Sequence, residues 1–300
     1  MLNRKYRYLI ALSQERHFGR AAAACNVSPS TLSAAIADLE SEIGFAIVAR
    51  GKSFCGFTCE GALLLQYALD ISNTVNTMQQ ELSLRRGKLS GHLKIGVIPT
   101  ALTAVAFLSN LFYRRHPDVT VEILSQSTGE ILQRLSQFDI DAGIVYQDEQ
   151  LPASLAITPL WHEPHVLLTP ELGRFANRKT ATWSEAAALN LCLLTPDMKN
   201  RQIIDATFKS IGHNLRPQMV TNSIISMLAH ITTGAWSGIF PQSVIEMIGA
   251  PRNTIVLPLT EPTTQWKIGL ATVRRESTSP ILTALVAEAG ALGAEFGKPE

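Results

Sequence analysis

The sequence predicts a mainly helical, winged helix-turn-helix head, a long linker helix and a two-lobed α/β body. Three observations carry this. Apolar residues in the first 45 positions recur at helical spacing, broken by one short turn. Residues 62–86 contain neither proline nor glycine. From about position 93, strand-like and helix-like patterns alternate to the end.

The chain has 300 residues, room for about two domains at roughly 100–200 residues each. Apolar residues make up 46% and charged residues 17%, which excludes a disordered polar chain. No run approaches the ~18 apolar residues of a membrane span, and the apolar stretch near the N-terminus is too short for a signal-peptide core. Four cysteines (Cys25, Cys55, Cys59, Cys192) do not make a disulfide framework, and the Cys55–Cys59 pair lacks the partners of a zinc site. A cytoplasmic protein without a metal or other cofactor is expected. The net charge of +1 conceals an asymmetry. Residues 1–90 carry ten basic and seven acidic groups, a surplus of +3, and the rest of the chain carries −2.

Within the head, Tyr6, Leu9, Ile10 and Leu12 predict a helix over 3–15, and Phe18–Cys25 a short alanine-rich one. Asn26 and Val27 form the turn, with Asn26 left-handed. Ser28 caps the next helix, Pro29 takes its first position, and Gly44 ends it. Leu32, Ile36, Leu39 and Ile43 make its apolar face. Two short helices around a tight turn are either an ordinary helical hairpin or a DNA-reading helix-turn-helix. The stretches 47–50 and 54–57 read as two strands of a wing that sets Arg50 and Lys52 beside phosphates.

The run Phe18-Gly19-Arg20-Ala21-Ala22, with Val27-Ser28, Leu32-Ser33, Ile36, Leu39-Glu40, Gly44, Arg50, Thr58 and Gly61, resembles the DNA-binding domain of LysR-type transcriptional regulators. The resemblance implies a winged helix-turn-helix with recognition helix 29–41. It assigns DNA contact to Arg20, Ser28, Pro29, Ser30, Thr31, Ser33 and Ala34 and to the wing residues Arg50 and Lys52. This chain departs from the family pattern at Pro29, Ala34 and Ala35, where base-contacting Gln or Arg is common. Base reading then shifts to the hydroxyls of Ser30, Thr31 and Ser33, and partly to DNA shape.

Thr58 caps the linker helix. Leu64, Ala68, Ile71, Val75, Met78 and Leu82 alternate steps of four and three, a coiled-coil repeat that predicts a homodimer seam. The family also dimerises through such a helix, and its members pair into homotetramers.

In the body, strands are expected at 93–98, 119–124, 140–145, 165–169, 191–194, 217–221, 237–240 and 265–272. Helices separate them, one opened by a capping box at Thr182–Glu185, and 280–294 forms a final helix. The stretches Ile95–Thr100, Asp139–Ile144 and Gly234–Pro241 resemble the LysR-type effector domain, which implies a periplasmic-binding-protein-like (type II) fold. Expected boundaries are 1–57 for the head, 58–88 for the linker and 91–300 for the body. Lobe I is 91–161 with 267–300, and lobe II is 162–266.

Ligands of open α/β sheets sit at strand carboxyl ends beside helix N-termini, which favour anions. That places Pro99, Thr100, Ser127, Thr128, Met198, Lys199 and Asn200 around a small carboxylate. Each hydroxyl is equally a helix cap, and Lys199 and Arg201 alone read as solvated charges. The His162-Glu163-Pro164-His165 run reads as a surface loop. No enzyme motif appears in a fitting context.

Two alternatives to a small-molecule effector remain open: a redox-responsive LysR-type regulator and a cytoplasmic small-molecule binding protein. Peroxide-sensing family members carry a cysteine near the start of the helix after the strand ending at Leu194. Here Met198-Lys199-Asn200 stands there. The expected partners are double-stranded DNA and the effector.

Overall fold

The computed structural model describes residues 3–49, 54–148, 151–172, 174–275 and 278–296. The chain divides into a helical unit reaching to Leu89 and an α/β unit beginning at Ser90.

The helical unit opens with α1 (Arg4–Glu15) and α2 (Phe18–Ala24). The His17 ring caps α2, Nδ1 accepting from the amides of Gly19 and Arg20. Asn26 turns the chain at φ 56°. Then α3 (Pro29–Ile43) starts on Ser28 and stops at left-handed Gly44. Tyr8, Leu9, Leu12, Ala21, Ala22, Leu32, Ile36 and Leu39 form the core. Its small residues matter, because alanines on α2 let three helices approach closely.

Among the described residues, the expected wing strands show one antiparallel bridge, Val48 to Phe57. Residues 50–53, with Arg50 and Lys52, lie outside the described residues. Glu40 fastens this segment, its Oε1 accepting from the amides of Ile47 (2.6 Å) and Val48 (3.1 Å).

Thr58 caps α4 (Cys59–Arg85), 27 residues and ~40 Å long. Gly61 sits where the helix crosses the bridge. A Cβ there would stand 2.0 Å from the Ile47 carbonyl oxygen, so only glycine permits the approach. Ala68 is fully buried, and Leu64 packs on the head core. Further along, Ile71, Met78 and Leu82 are exposed.

The α/β unit begins with β1 (Gly91–Val97), β2 (Val119–Ser125) and β3 (Ala142–Tyr146), all parallel. Between them run α5 (Val105–Arg115) and α6 (Thr128–Ser136). The next strand, β4 (Leu155–Pro170), is 16 residues long. It replaces the short strand expected at 165–169, and the His162–His165 run lies within it rather than in a loop.

Lobe II continues through β5 (Ala181–Thr182), α7 (Trp183–Ala187), β6 (Cys192–Leu194), α8 (Lys199–Ser210), β7 (Met219–Thr221) and α9 (Ile224–Thr232). It ends with β8 (Gly238–Pro241), α10 (Gln242–Ile248) and β9 (Thr254–Thr260). Then β10 (Gln265–Val273) and α11 (Pro280–Phe296) return to the first lobe. There Gly293 lies so close to β4 that a Cβ would meet the Pro159 carbonyl oxygen at 2.2 Å.

The main sheet runs β2-β1-β3-β10-β4-β9-β5, with β8 also on β4. The first half of β4 pairs with β10, and its second half pairs with β8 and β9. These two strands therefore carry the chain between lobes. A bulge interrupts their pairing: Gly269 faces Pro159, Ile268 faces Trp161, and Leu160 is the extra residue.

Candidate nucleic-acid interface and ligand cleft

On α3, Ser28, Pro29, Ser30, Thr31, Ser33 and Ala34 are all exposed, opposite the buried Leu32, Ile36 and Leu39. The Ser28 hydroxyl is the hub of a local cluster. It accepts from the Thr31 amide at 3.1 Å and lies 2.8 Å from both the Ser30 and Thr31 hydroxyls. The Ser28 hydroxyl caps the helix in the free chain, and each of the three can donate to a phosphate or a base edge once its local partner is released. Arg20 is exposed; it donates to the Glu15 carbonyl and carboxylate. A surface pair of this kind contributes little stability and yields readily to a phosphate.

All seven residues expected at the ligand site line one pocket, together with Ile98, Tyr146 and Leu194. The seven come from three separate stretches, the turn after β1, the N-terminus of α6 and the N-terminus of α8. The enclosed space is only about 10 Å³, room for about one water molecule, so the cleft is closed in this structure.

Behind the pocket lies a buried polar network that the sequence did not announce. Tyr146 Oη donates to Glu163 Oε2 at 3.0 Å. With its one proton so used, the phenol accepts from Asn200 Nδ2 (3.0 Å) and from the Thr100 hydroxyl (3.3 Å). Glu163 Oε1 accepts from Ser243 Oγ (2.6 Å) and Trp161 Nε1 (3.2 Å). Burial pushes the Glu163 carboxyl up, and these three donors partly oppose it. Asn200 Nδ2 also faces His165 Nε2 at 3.0 Å, so Nε2 accepts and the ring proton sits on Nδ1, which has no partner. Burial drives the His165 pKa down to about 4.

Several sequence expectations need correcting. Lys199 is no solvated charge, since its ammonium pairs with Asp148 at 2.5 Å. Arg201 is 6% exposed and structural, donating to Asp205 and the Leu194 carbonyl. The Ser127 hydroxyl is engaged with Glu130 in a reciprocal cap. Beside it, Thr128 Oγ1 is buried without a partner. Leu64 and Ala68 serve the core of the head rather than a free seam.

Cys192 is buried in β6, where burial raises its thiol pKa. Cys25 is half-buried and raised for the same reason, and Cys55 and Cys59 are exposed. Among the described residues no side-chain cluster fits a metal ion, and no helix is long and apolar enough to cross a membrane.

A helix-turn-helix unit joined to a two-lobed α/β unit with a polar cleft defines a class, the regulator that carries its own sensor. Residues 3–62 match the family model of bacterial regulatory helix-turn-helix proteins of the lysR family, and residues 86–293 match that of the LysR substrate binding domain. The chain belongs to the LysR family of bacterial transcriptional regulators.

A hydrogen peroxide-inducible genes activator from Pectobacterium carotovorum is 31% identical over 192 residues. That stretch is 64% of this chain and 63% of the relative, so the chain spans under two thirds of that relative's length. A full-length OxyR cysteine-to-aspartate variant from Pseudomonas aeruginosa shares the fold at TM-score 0.74 and 23% identity, over 95% of this chain and 93% of that one. CbnR, solved in full length with its target DNA, does so at TM-score 0.66 and 21% identity, over 96% and 99%.

Proposed function

We propose that the protein is a cytoplasmic, sequence-specific DNA-binding transcriptional regulator, without enzymatic activity, switched by a small carboxylate or similar anion held between the two lobes. One observation carries this reading. Seven residues from separate stretches converge on one cleft, where Thr128 Oγ1 is buried and unpartnered at a helix N-terminus. A ligand oxygen would satisfy that hydroxyl, take the amides at the start of α6 and displace Asp148 from Lys199. Because the cleft is closed, the ligand enters an open form and favours closure by binding one state better.

The exposed face of α3 reads DNA, with Arg20 and the wing residues Arg50 and Lys52 on phosphates. The stripe of exposed Ile71, Met78 and Leu82 with half-buried Val75 pairs two chains, and two pairs make a tetramer. The functional boundaries follow the sequence reading, with the head ending near 57 and the linker near 88. Two or four weakly basic heads on one duplex then supply useful affinity.

The peroxide-inducible relatives favour a second reading, redox sensing. Buried Cys192 argues against it, because a thiol with a raised pKa makes little thiolate.

A mobility-shift assay on DNA upstream of the gene is expected to show binding that survives non-specific competitor at moderate salt. A thermal-shift screen of small organic acids is expected to find a stabilising ligand. Its effect should be lost in Thr128→Val and kept in Cys192→Ser. Failure of specific DNA binding, or a ligand response indifferent to Thr128, removes the corresponding half of the proposal.

A further inference from the structure

Among the described residues that line the cleft, Lys199 is the one charged side chain, and its charge is already answered. Its ammonium meets the Asp148 carboxylate at 2.5 Å. Asp148 follows β3 in lobe I, and Lys199 is the first residue of α8 in lobe II, so the pair bridges the cleft. Both side chains are mostly withdrawn from water, at 22% and 19% exposed. Together they sum to zero charge.

That neutrality decides what the cleft accepts. A plain carboxylate that takes Lys199 leaves the Asp148 charge beside a second negative group. Separating a mostly buried pair in this way is costly, because one charge is left uncompensated. A plain amine on Asp148 leaves Lys199 in the same position. A ligand with both a carboxylate and an ammonium answers both charges at once.

Donors for the carboxylate stand on both lobes. Thr128 Oγ1 is buried without a partner at the start of α6. Across the cleft, α8 starts on Met198, which supplies no side-chain cap, so its first amides keep donor capacity beside Lys199. Ile98, Pro99, Leu194 and Met198 add an apolar wall that suits an alkyl chain.

We propose that the cleft ligand is an α-amino acid with an uncharged alkyl side chain, inserted between Lys199 and Asp148. Its carboxylate takes Thr128 and Lys199, and its ammonium takes Asp148. The direct ion pair becomes a row of alternating charges, and the lobes stay joined through the ligand. The assignment narrows the cleft reading given above and rests on it.

Calorimetric titration of the full-length protein with three matched compounds tests it. L-leucine carries both charges, 4-methylpentanoate lacks the ammonium, and 3-methylbutylamine lacks the carboxylate. Leucine is expected to bind about tenfold or more tighter than either. In Asp148→Asn, leucine is expected to weaken by about tenfold or more while 4-methylpentanoate gains, because Lys199 is released to it. Lys199→Gln is expected to weaken leucine and strengthen the amine, which keeps the test alive if the first variant folds poorly. Misfolding would weaken all three compounds and would not swap their order.

Thr128-dependent binding of 4-methylpentanoate as tight as that of leucine overturns the amino acid and leaves the carboxylate reading standing. Leucine binding indifferent to both variants overturns its place between the two charges. No binding by any of the three overturns the assignment. Thr128-dependent stabilisation by another organic acid would then keep the carboxylate reading, and its absence would remove both.

Discussion

The polar groups of the reading helix and those of the cleft are satisfied in opposite ways. On α3, Ser28 is paired with residues two and three positions away. In the α/β unit, Tyr146 reaches 17 positions to Glu163, 46 to Thr100 and 54 to Asn200, and Ser243 reaches 80 to Glu163. The first arrangement is local, exposed and replaceable. The second is assembled by the fold, buried and mutually dependent. A regulator gains from this division, since a reading face must release its hydrogen bonds to DNA while a sensor must convert one contact into a shift of many.

Lowering the pH should give the largest separation between the units. His165 stays neutral in the folded protein because burial depresses its pKa to about 4 from the ordinary 6.5. The unfolded chain therefore binds more protons between about pH 6.5 and 4, and stability falls as pH drops through that window. The loss is on the order of 3 kcal/mol. Glu163, pushed up by burial, acts in the opposite sense and offsets part of it. Urea unfolding against pH is expected to lose the His165 slope in His165→Gln, while the helical unit shows neither effect.

Two substitutions of intermediate size break the units separately. Tyr146→Phe leaves Thr100, Asn200 and Glu163 each short of a partner, a cost of about 1–3 kcal/mol. Gly61→Ala forces a methyl against the Ile47 carbonyl, costing about 1–3 kcal/mol. Scanning calorimetry should show the first lowering only the α/β transition and the second only the helical one, with DNA affinity falling alongside it.

Ser28→Ala should give the smallest effect. Loss of a serine cap costs ~1 kcal/mol, and the neighbouring hydroxyls are freed rather than orphaned. Circular dichroism melts should show a small drop, with specific DNA affinity reduced by more than the melt implies.

The same division explains what could be read beforehand. Asn26, Ser28, Pro29 and Gly44 act on neighbours within four residues, as does Thr58 in capping α4, so these roles were legible, as were the alternating strands and helices. The seven cleft residues were found because each stands at a helix start that follows a strand. Glu163 and His165 were missed because Pro159 and Pro164 make β4 read as broken, and Pro258 hid β9 in the same way. Neither proline breaks the sheet. Pro159 sits at the bulge, and Pro164 faces Gln265 near one end of β10. The division of Leu64 and Ala68 from the rest of the repeat was invisible because heptad spacing does not say which partner a face meets.

Leu160, the extra residue in β4, carries a consequence of its own. In a strand, alternate residues face opposite sides, and one inserted residue reverses that alternation for everything after it. Leu160 and Trp161 are consecutive and both buried, and from there Glu163 and His165 share the inward face. Deleting Leu160 would turn the carboxylate and imidazole outward and bring His162 and Pro164 in. The sensor's polar wall therefore hangs on a parity of one residue, which makes it far less tolerant of a deletion than of most substitutions.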